Sequence, residues 1–224
     1  MLVLVACEES QRVCMAFREK GHEAYSCDIQ KCTGGVPKWH ILMDCRAVLN
    51  GGVMKLQTGE KVTIDKWDLI IAHPPCTYLS TCATRAHSIK HTPENWINAR
   101  TKSRIEAMQF FMDCINANCD KIAVENPVGV MNTCYRQADQ IIEPWMFAES
   151  KDDKENYVTK RTCLWIKGLP LLKGRQTEKP NNAEIFGRYK SGKAKCWEDT
   201  FSRDGGVRSK TFPGIAKAMA EQWG

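Results

Sequence analysis

The chain has 224 residues, 43% hydrophobic and 26% charged, with a net charge of +6. These values sit near the globular average, exclude an overall disordered, collagenous or coiled-coil chain, and suit one well-cored domain. The longest nearly uncharged stretch, 69–80, holds two prolines, a histidine and several hydroxyls and cannot cross a bilayer as a helix.

Met1 to Cys7 is apolar, has no basic residue ahead of it and meets Glu8-Glu9 at once. It reads as a first buried strand over 2–6 rather than a signal peptide. Residues 10–20 read as a helix, with Val13, Ala16 and Phe17 on one face and Gly21 placed to end it. A strand over 23–27 ends in Asp28, and 29–38, with Gly34-Gly35 and Pro37, is a loop. A third strand over 40–43 stops at Asp44. Asp68 to Ala72 is the clearest buried strand and runs straight into His73-Pro74-Pro75-Cys76.

Thr92-Pro93-Glu94 reads as a helix start, with a capping hydroxyl, proline at the first helical position and an acid in the first turn. The helix extends to Asn116, on the spacing of Ile105, Met108, Met112 and Ile115. A strand over 121–124 ends at Glu125-Asn126-Pro127. Strands alternating with helices predict a doubly wound, Rossmann-like α/β sheet, mostly parallel, with helices on both faces.

Ligands of such sheets bind beyond the carboxyl ends of the strands. Five strand ends here offer an acid or a thiol: Glu8, Asp28, Asp44, Cys76 and Glu125. Pro74-Pro75 stiffens the loop that carries Cys76, whose thiol is a nucleophile only as thiolate. Glu125, at a neighbouring strand end, could exchange a proton with a bound ring. Together they suit addition to an electron-poor heterocycle, the thiolate attacking ring carbon while the acid protonates ring nitrogen. Each also has a plainer reading: Cys76 as a buried cysteine in a tight turn, Glu125 as an acid capping the next turn. Asp28 and Asp44 could accept hydrogen bonds from ribose hydroxyls and an amino group, or serve as ordinary turn caps.

The 12 cysteines include no CxxC pair. They read as free thiols in a reducing, cytoplasmic compartment, and no metal is expected. Residues 151–210 carry 15 Lys and Arg against 8 Asp and Glu, so all of the positive excess lies there. A neutral body with one basic segment points to a polyanionic partner, most simply nucleic acid, or to a lysine-rich solvated surface.

The order of these motifs resembles the C5-cytosine DNA methyltransferases, in a compact, phage-like form. His73-Pro-Pro-Cys-Thr-Tyr-Leu-Ser80 is similar to the family's segment carrying the nucleophilic cysteine, and Glu125-Asn126-Pro127 to its ENV segment. Thr159 to Trp165 resembles the basic segment that supplies an arginine to the base, here Arg161. Thr211-Phe-Pro-Gly-Ile215 and the helix after it resemble the last family motif. The chain departs in four places. The loop 6–11 has no glycine where the family is glycine-rich, Thr77 stands where Gln is common, ENP with Pro127 replaces ENV, and the large target-recognition domain is absent.

The resemblance implies an S-adenosylmethionine-dependent fold acting on double-stranded DNA, with the target cytosine flipped out of the stack. Cys76 would add to C6, Glu125 would hold and protonate N3, and Arg161 would contact O2. S-adenosylmethionine would lie against Cys7, Glu8, Asp28, Ile29, Asp44, Cys45, His73 and Pro74, with Asp28 at the ribose and Asp44 at the adenine. The implied organisation is one domain over 1–224: a cofactor-binding and catalytic core over 1–148, a basic region with a minimal recognition element over 149–210, and a C-terminal helix over 211–224 returning to the core. No membrane association is expected. Competing readings are an amino-methyltransferase, a methyltransferase-fold DNA-binding protein without catalysis, and a Cys/Glu enzyme acting on pyrimidine nucleotides.

Overall fold

The computed structural model describes residues 1–84, 93–199 and 205–224. Its strands are β1 (Leu2–Ala6), β2 (Glu23–Asp28), β3 (His40–Leu42), β4 (Gly52–Lys55), β5 (Lys61–Ile64), β6 (Leu69–Ala72), β7 (Ile122–Pro127), β8 (Gln140–Ile142) and β9 (Thr162–Lys167). The helices are α1 (Arg12–Glu19), α2 (Thr81–Thr84), α3 (Glu94–Ile115), α4 (Met131–Cys134), α5 (Asn182–Phe186), α6 (Gly205–Ser209) and α7 (Pro213–Trp223). None is long and apolar enough to cross a membrane among the described residues.

Seven strands form one α/β sheet in the order β3-β2-β1-β6-β7-β9-β8. The five from β3 to β7 are mutually parallel, and β9 runs antiparallel between β7 and β8. Side chains alternate along each strand. Leu4, Ala6, Ile70, Ala72, Ile122 and Val124 face one layer, where Phe111, Cys114 and Ile115 of α3 meet them. Val3, Val5, Leu69, Ile71 and Ala123 face the other, under Val13 and Phe17 of α1 and Ile215, Met219 and Trp223 of α7. Burial on both faces explains why these strands read as continuous apolar runs.

The expected elements are observed to within about two residues, while β8, α2, α4, α5 and α6 appear where none was expected; four further points bear on the core and the site. The long helix begins at Glu94, and the proposed cap Thr92 lies outside the described residues. Ile105 is 62% exposed instead of joining the buried stripe, which Phe111, Cys114 and Ile115 form. Strand β7 continues through Glu125 to Pro127 because β9 pairs with it there, Pro127 lying opposite Thr162. The hairpin β4–β5 was not expected; it closes the core below β3 with Met54 and Ile64, through a bridge between Ile41 and Leu56.

The chain leaves β1 towards β2 on one side, and β6 lies on the other, so the sheet order reverses between β1 and β6. That reversal opens a crevice at their carboxyl ends. The loop entering it, from Cys7 to Gln11, makes two left-handed turns without glycine: Cys7 has φ 60° and Gln11 φ 59°. Such a conformation costs roughly 1–2 kcal/mol in a residue with a Cβ. At Gln11 two hydrogen bonds offset it, Nε2 donating to the Val36 carbonyl at 2.9 Å and Oε1 accepting from the Val36 amide at 3.0 Å. The missing glycine is supplied from the facing loop. A Cβ on Gly34 would stand 2.5 Å from the Ser10 carbonyl oxygen and 2.6 Å from Gln11 Cβ.

Gly34→Ala is therefore expected to destabilise the fold by about 1–3 kcal/mol, read as a lower urea midpoint with unchanged slope. A midpoint equal to that of the unaltered protein would show that the two loops are not in contact.

Candidate functional site

Strands β6 and β7 are in parallel register with Ala72 opposite Val124. The next residues out, His73 and Glu125, therefore leave adjacent strands side by side. His73 Nδ1 and Glu125 Oε2 are 2.8 Å apart, with side chains only 12% and 21% exposed. Burial is the largest influence on each and disfavours charge on both. The mutual hydrogen bond and attraction outweigh it, so His73 is raised above the ordinary histidine value and Glu125 lowered below the ordinary carboxylate value. Glu8 adds to the pull on His73, and Lys160 to that on Glu125.

The residues after this pair are pinned. Asn126 Nδ2 donates to the Pro74 carbonyl at 2.8 Å, fixing the diproline to β7. The amides of Leu79 and Ser80 donate to the Cys76 carbonyl at 3.0 and 3.1 Å, closing a turn. The Val130 amide donates to the Leu79 carbonyl at 2.8 Å, and Gly129 lies so close that a Cβ there would fall 1.9 Å from that oxygen. From the far side, Arg104 Nε of α3 donates to the Tyr78 carbonyl at 2.9 Å, and the Arg100 guanidinium lies 5.2 Å from the Tyr78 ring centre. The held loop presents Cys76 to solvent as an exposed free thiol. Partial burial, and then the charge of Glu125, push that thiol up, while Lys160 and Arg208 pull the other way.

On the other side of the crevice lies a pocket of about 210 Å³. Of the residues expected at a cofactor, Cys7, Asp28, Ile29, Asp44 and Cys45 line it, and Pro75 and Phe110 close it. Asp28 is half-buried; burial pushes its carboxyl up against the opposing hydrogen bond from the Gln30 amide to Oδ1, 2.9 Å. Ile29 stands 74% exposed at the rim. Both oxygens of Asp44 are engaged by Arg46, whose hydrogen bonds hold that carboxyl below the usual range. Cys7 and Cys45 meet at the pocket floor with sulfurs 3.7 Å apart.

Three residues expected at the cofactor lie elsewhere, as does Arg161. Glu8 is buried beneath α1 and accepts from the amides of Val13 at 2.6 Å and Cys14 at 3.1 Å, filling the cap that Gln11 does not supply. His73 is committed to Glu125, and Pro74 is buried behind the loop. Arg161 is exposed, and its charge acts on Cys163. The cation that acts on Glu125, His73 and Cys76 is its neighbour Lys160. Lys160 Nζ donates to the Arg208 carbonyl at 2.7 Å and sits 5.4 and 5.6 Å from the ring centres of Trp197 and Phe212. Adjacent residues entering a strand point to opposite faces, so charge in the sequence could not choose between 160 and 161. Asn126 had a signal, being a buried polar residue inside the strand-end motif, but its partner lies 52 residues away in the chain.

The His73–Glu125 pair makes stability depend on pH in a definite direction. The contribution of His73, raised in the folded protein, is complete below the ordinary histidine value of about 6.5 and lost as pH rises through the raised value. That of Glu125, lowered, is complete above about 4.3 and lost as pH falls through the lowered value. Glu125→Gln should therefore cost about 1–3 kcal/mol between roughly pH 4.5 and 6.5, and less on either side. Urea unfolding of both proteins across pH 3–9 checks this; a difference that ignores pH would dissolve the pair. In comparisons with known proteins, no family model and no curated protein matches this chain.

Proposed function

We propose that this chain is a DNA cytosine-C5 methyltransferase with a doubly wound, S-adenosylmethionine-binding fold. The observation that carries the reading is the pairing of an exposed thiol, on a loop pinned at five points, with an acid on the adjacent strand whose charge reaches that thiol. Such a pair suits attack by Cys76 at C6 of a flipped cytosine while Glu125 engages N3. The electrons displaced from C6 make C5 nucleophilic, and loss of the C5 proton with release of Cys76 restores the ring.

The residues of the pocket fit the nucleoside part of S-adenosylmethionine. Asp28 keeps one carboxylate oxygen without a hydrogen bond among the described residues, suited to ribose hydroxyls, and Ile29 and Phe110 offer apolar surfaces suited to a base. Asp44 fits less well, because an amino group would have to share it with Arg46. Once bound, S-adenosylmethionine supplies an electrophilic methyl group. Cys7 and Gln11, in conformations usual for glycine, let the backbone of the first loop turn closely at that crevice.

Double-stranded DNA is the partner that the basic segment suits. Tyr189 is 42% exposed there, beside Lys195, whose ammonium lies 5.7 Å from its ring centre. Aromatic and cationic groups together provide stacking and phosphate contacts.

Labelled methyl from S-adenosylmethionine should appear at cytosine C5 of mixed-sequence duplex DNA. It should vanish with Cys76→Ser and fall by about 10²–10⁴ with Glu125→Gln. A Cys76→Ser protein that still transfers methyl would remove the nucleophile, and DNA binding without any transfer would favour a non-catalytic binding protein. Replacing Lys190, Lys193 and Lys195 together by Glu should weaken DNA binding and flatten its dependence on salt. An unchanged slope would return the segment to a solvated surface.

A further inference from the structure

We propose that His73 is the proton store for Glu125, supplying through that carboxyl the proton that reaches N3 of the substrate ring. The inference rests on the methyltransferase reading for the proton's destination, but on the geometry alone for its source. A carboxylate needed as a hydrogen-bond donor to N3 must first hold a proton, and a buried Glu125 bonded to His73 Nδ1 at 2.8 Å has that proton one hydrogen bond away. His73 Nε2 is buried without a partner among the described residues, so the ring's one hydrogen bond is to Glu125. Glu125 Oε1 carries no hydrogen bond among the described residues, which leaves one oxygen for the ring and one for His73.

Every charged group near the pair enters the balance. Glu8 from the loop after β1 and Lys160 from the segment before β9 act on His73, and Lys160 acts on Glu125. Cys76 on the adjoining loop and Cys163 on β9 feel the charge of Glu125, and Arg208 reaches Cys76. Glu125 and Glu8 both favour a proton on His73, and Lys160 opposes it.

The step balances. Exposed Cys76 releases its proton to solvent, and the thiolate's electron pair forms the bond to C6. His73 Nδ1 gives its proton to the Glu125 carboxylate, and the carboxyl so formed passes a proton to N3 as the ring π electrons shift there, which returns Glu125 to a carboxylate. His73 is left neutral. When the bond from Cys76 to C6 breaks, the N3 proton returns by the same route.

His73→Asn separates storage from positioning, because its amide keeps an N–H for Glu125 but cannot lend a proton. With it, kcat should fall by about 10²–10⁴ with the KM for DNA within about threefold. The alkaline limb of the pH–rate profile should move at least about one unit towards acid. Independently, NMR titration of the His73 ring in cofactor-free protein should give a midpoint above the ordinary value, falling by about one unit or more in Glu125→Gln. A His73→Asn enzyme with the normal kcat and profile, or a ring midpoint indifferent to Glu125→Gln, overturns the proposal. Absence of transfer by the unaltered protein would overturn the methyltransferase reading and the proton's destination. The titration would still decide whether the pair holds a proton.

Discussion

Because β6 and β7 are parallel and paired with Ala72 opposite Val124, the residues that leave them are set side by side, and the site follows from that pairing. His73 meets Glu125 and Pro74 meets Asn126, two hydrogen bonds across one pair of strand ends. The apolar alternation does not fix this register by itself. Both faces of the sheet are buried, so a slip by one residue would exchange one apolar layer for the other. The polar ends do fix it, since a slip would leave a buried imidazole, carboxylate and amide without partners. The groups that read as chemistry therefore also hold the frame in place.

The loop that carries Cys76 shows how such a frame makes a thiol available without making it loose. Proline restricts the chain, Asn126 holds it behind, Gly129 lets the next loop come within touching distance, and Arg104 closes it from α3. Cys76 is left facing outward, between exposed Pro75 and Thr77. The thiol itself is held protonated by partial burial and by Glu125, so a substrate that relieves either would also activate it.

Much of this was legible in the sequence. Strands β1, β2, β3, β6 and β7 carried their own apolar runs and ended in acids or a thiol, which is why their carboxyl ends could be lined up from the chain alone. The pocket gathers Cys7, Asp28, Ile29, Asp44 and Cys45 because consecutive parallel strands deliver their ends to one edge. What stayed hidden depended on contacts between distant segments. Glu8 looks like a ligand group in the sequence, but a helix starting at Arg12 without a capping side chain at Gln11 claims both its oxygens. Lys160 could not be told from Arg161 without the direction in which the chain enters β9. The hairpin β4–β5 is short and largely exposed, with Met54 and Ile64 its deeply buried side chains, too few for a periodic signal.

The strand β9, which runs antiparallel between β7 and β8, has a consequence for how the molecule is made. Until residues 162–167 have been synthesised, the strand carrying Glu125 is an outer edge with open backbone amides and carbonyls, and β8 has nothing to pair with. The layer under β1 and β6 is covered by α1 alone until α7 arrives. A nascent chain stalled at residue 148 would hold most of the residues of the site but neither of the pieces that protect them. Its exposed edge would be open to pairing with another chain, so assembly of the sheet waits on the synthesis of β9.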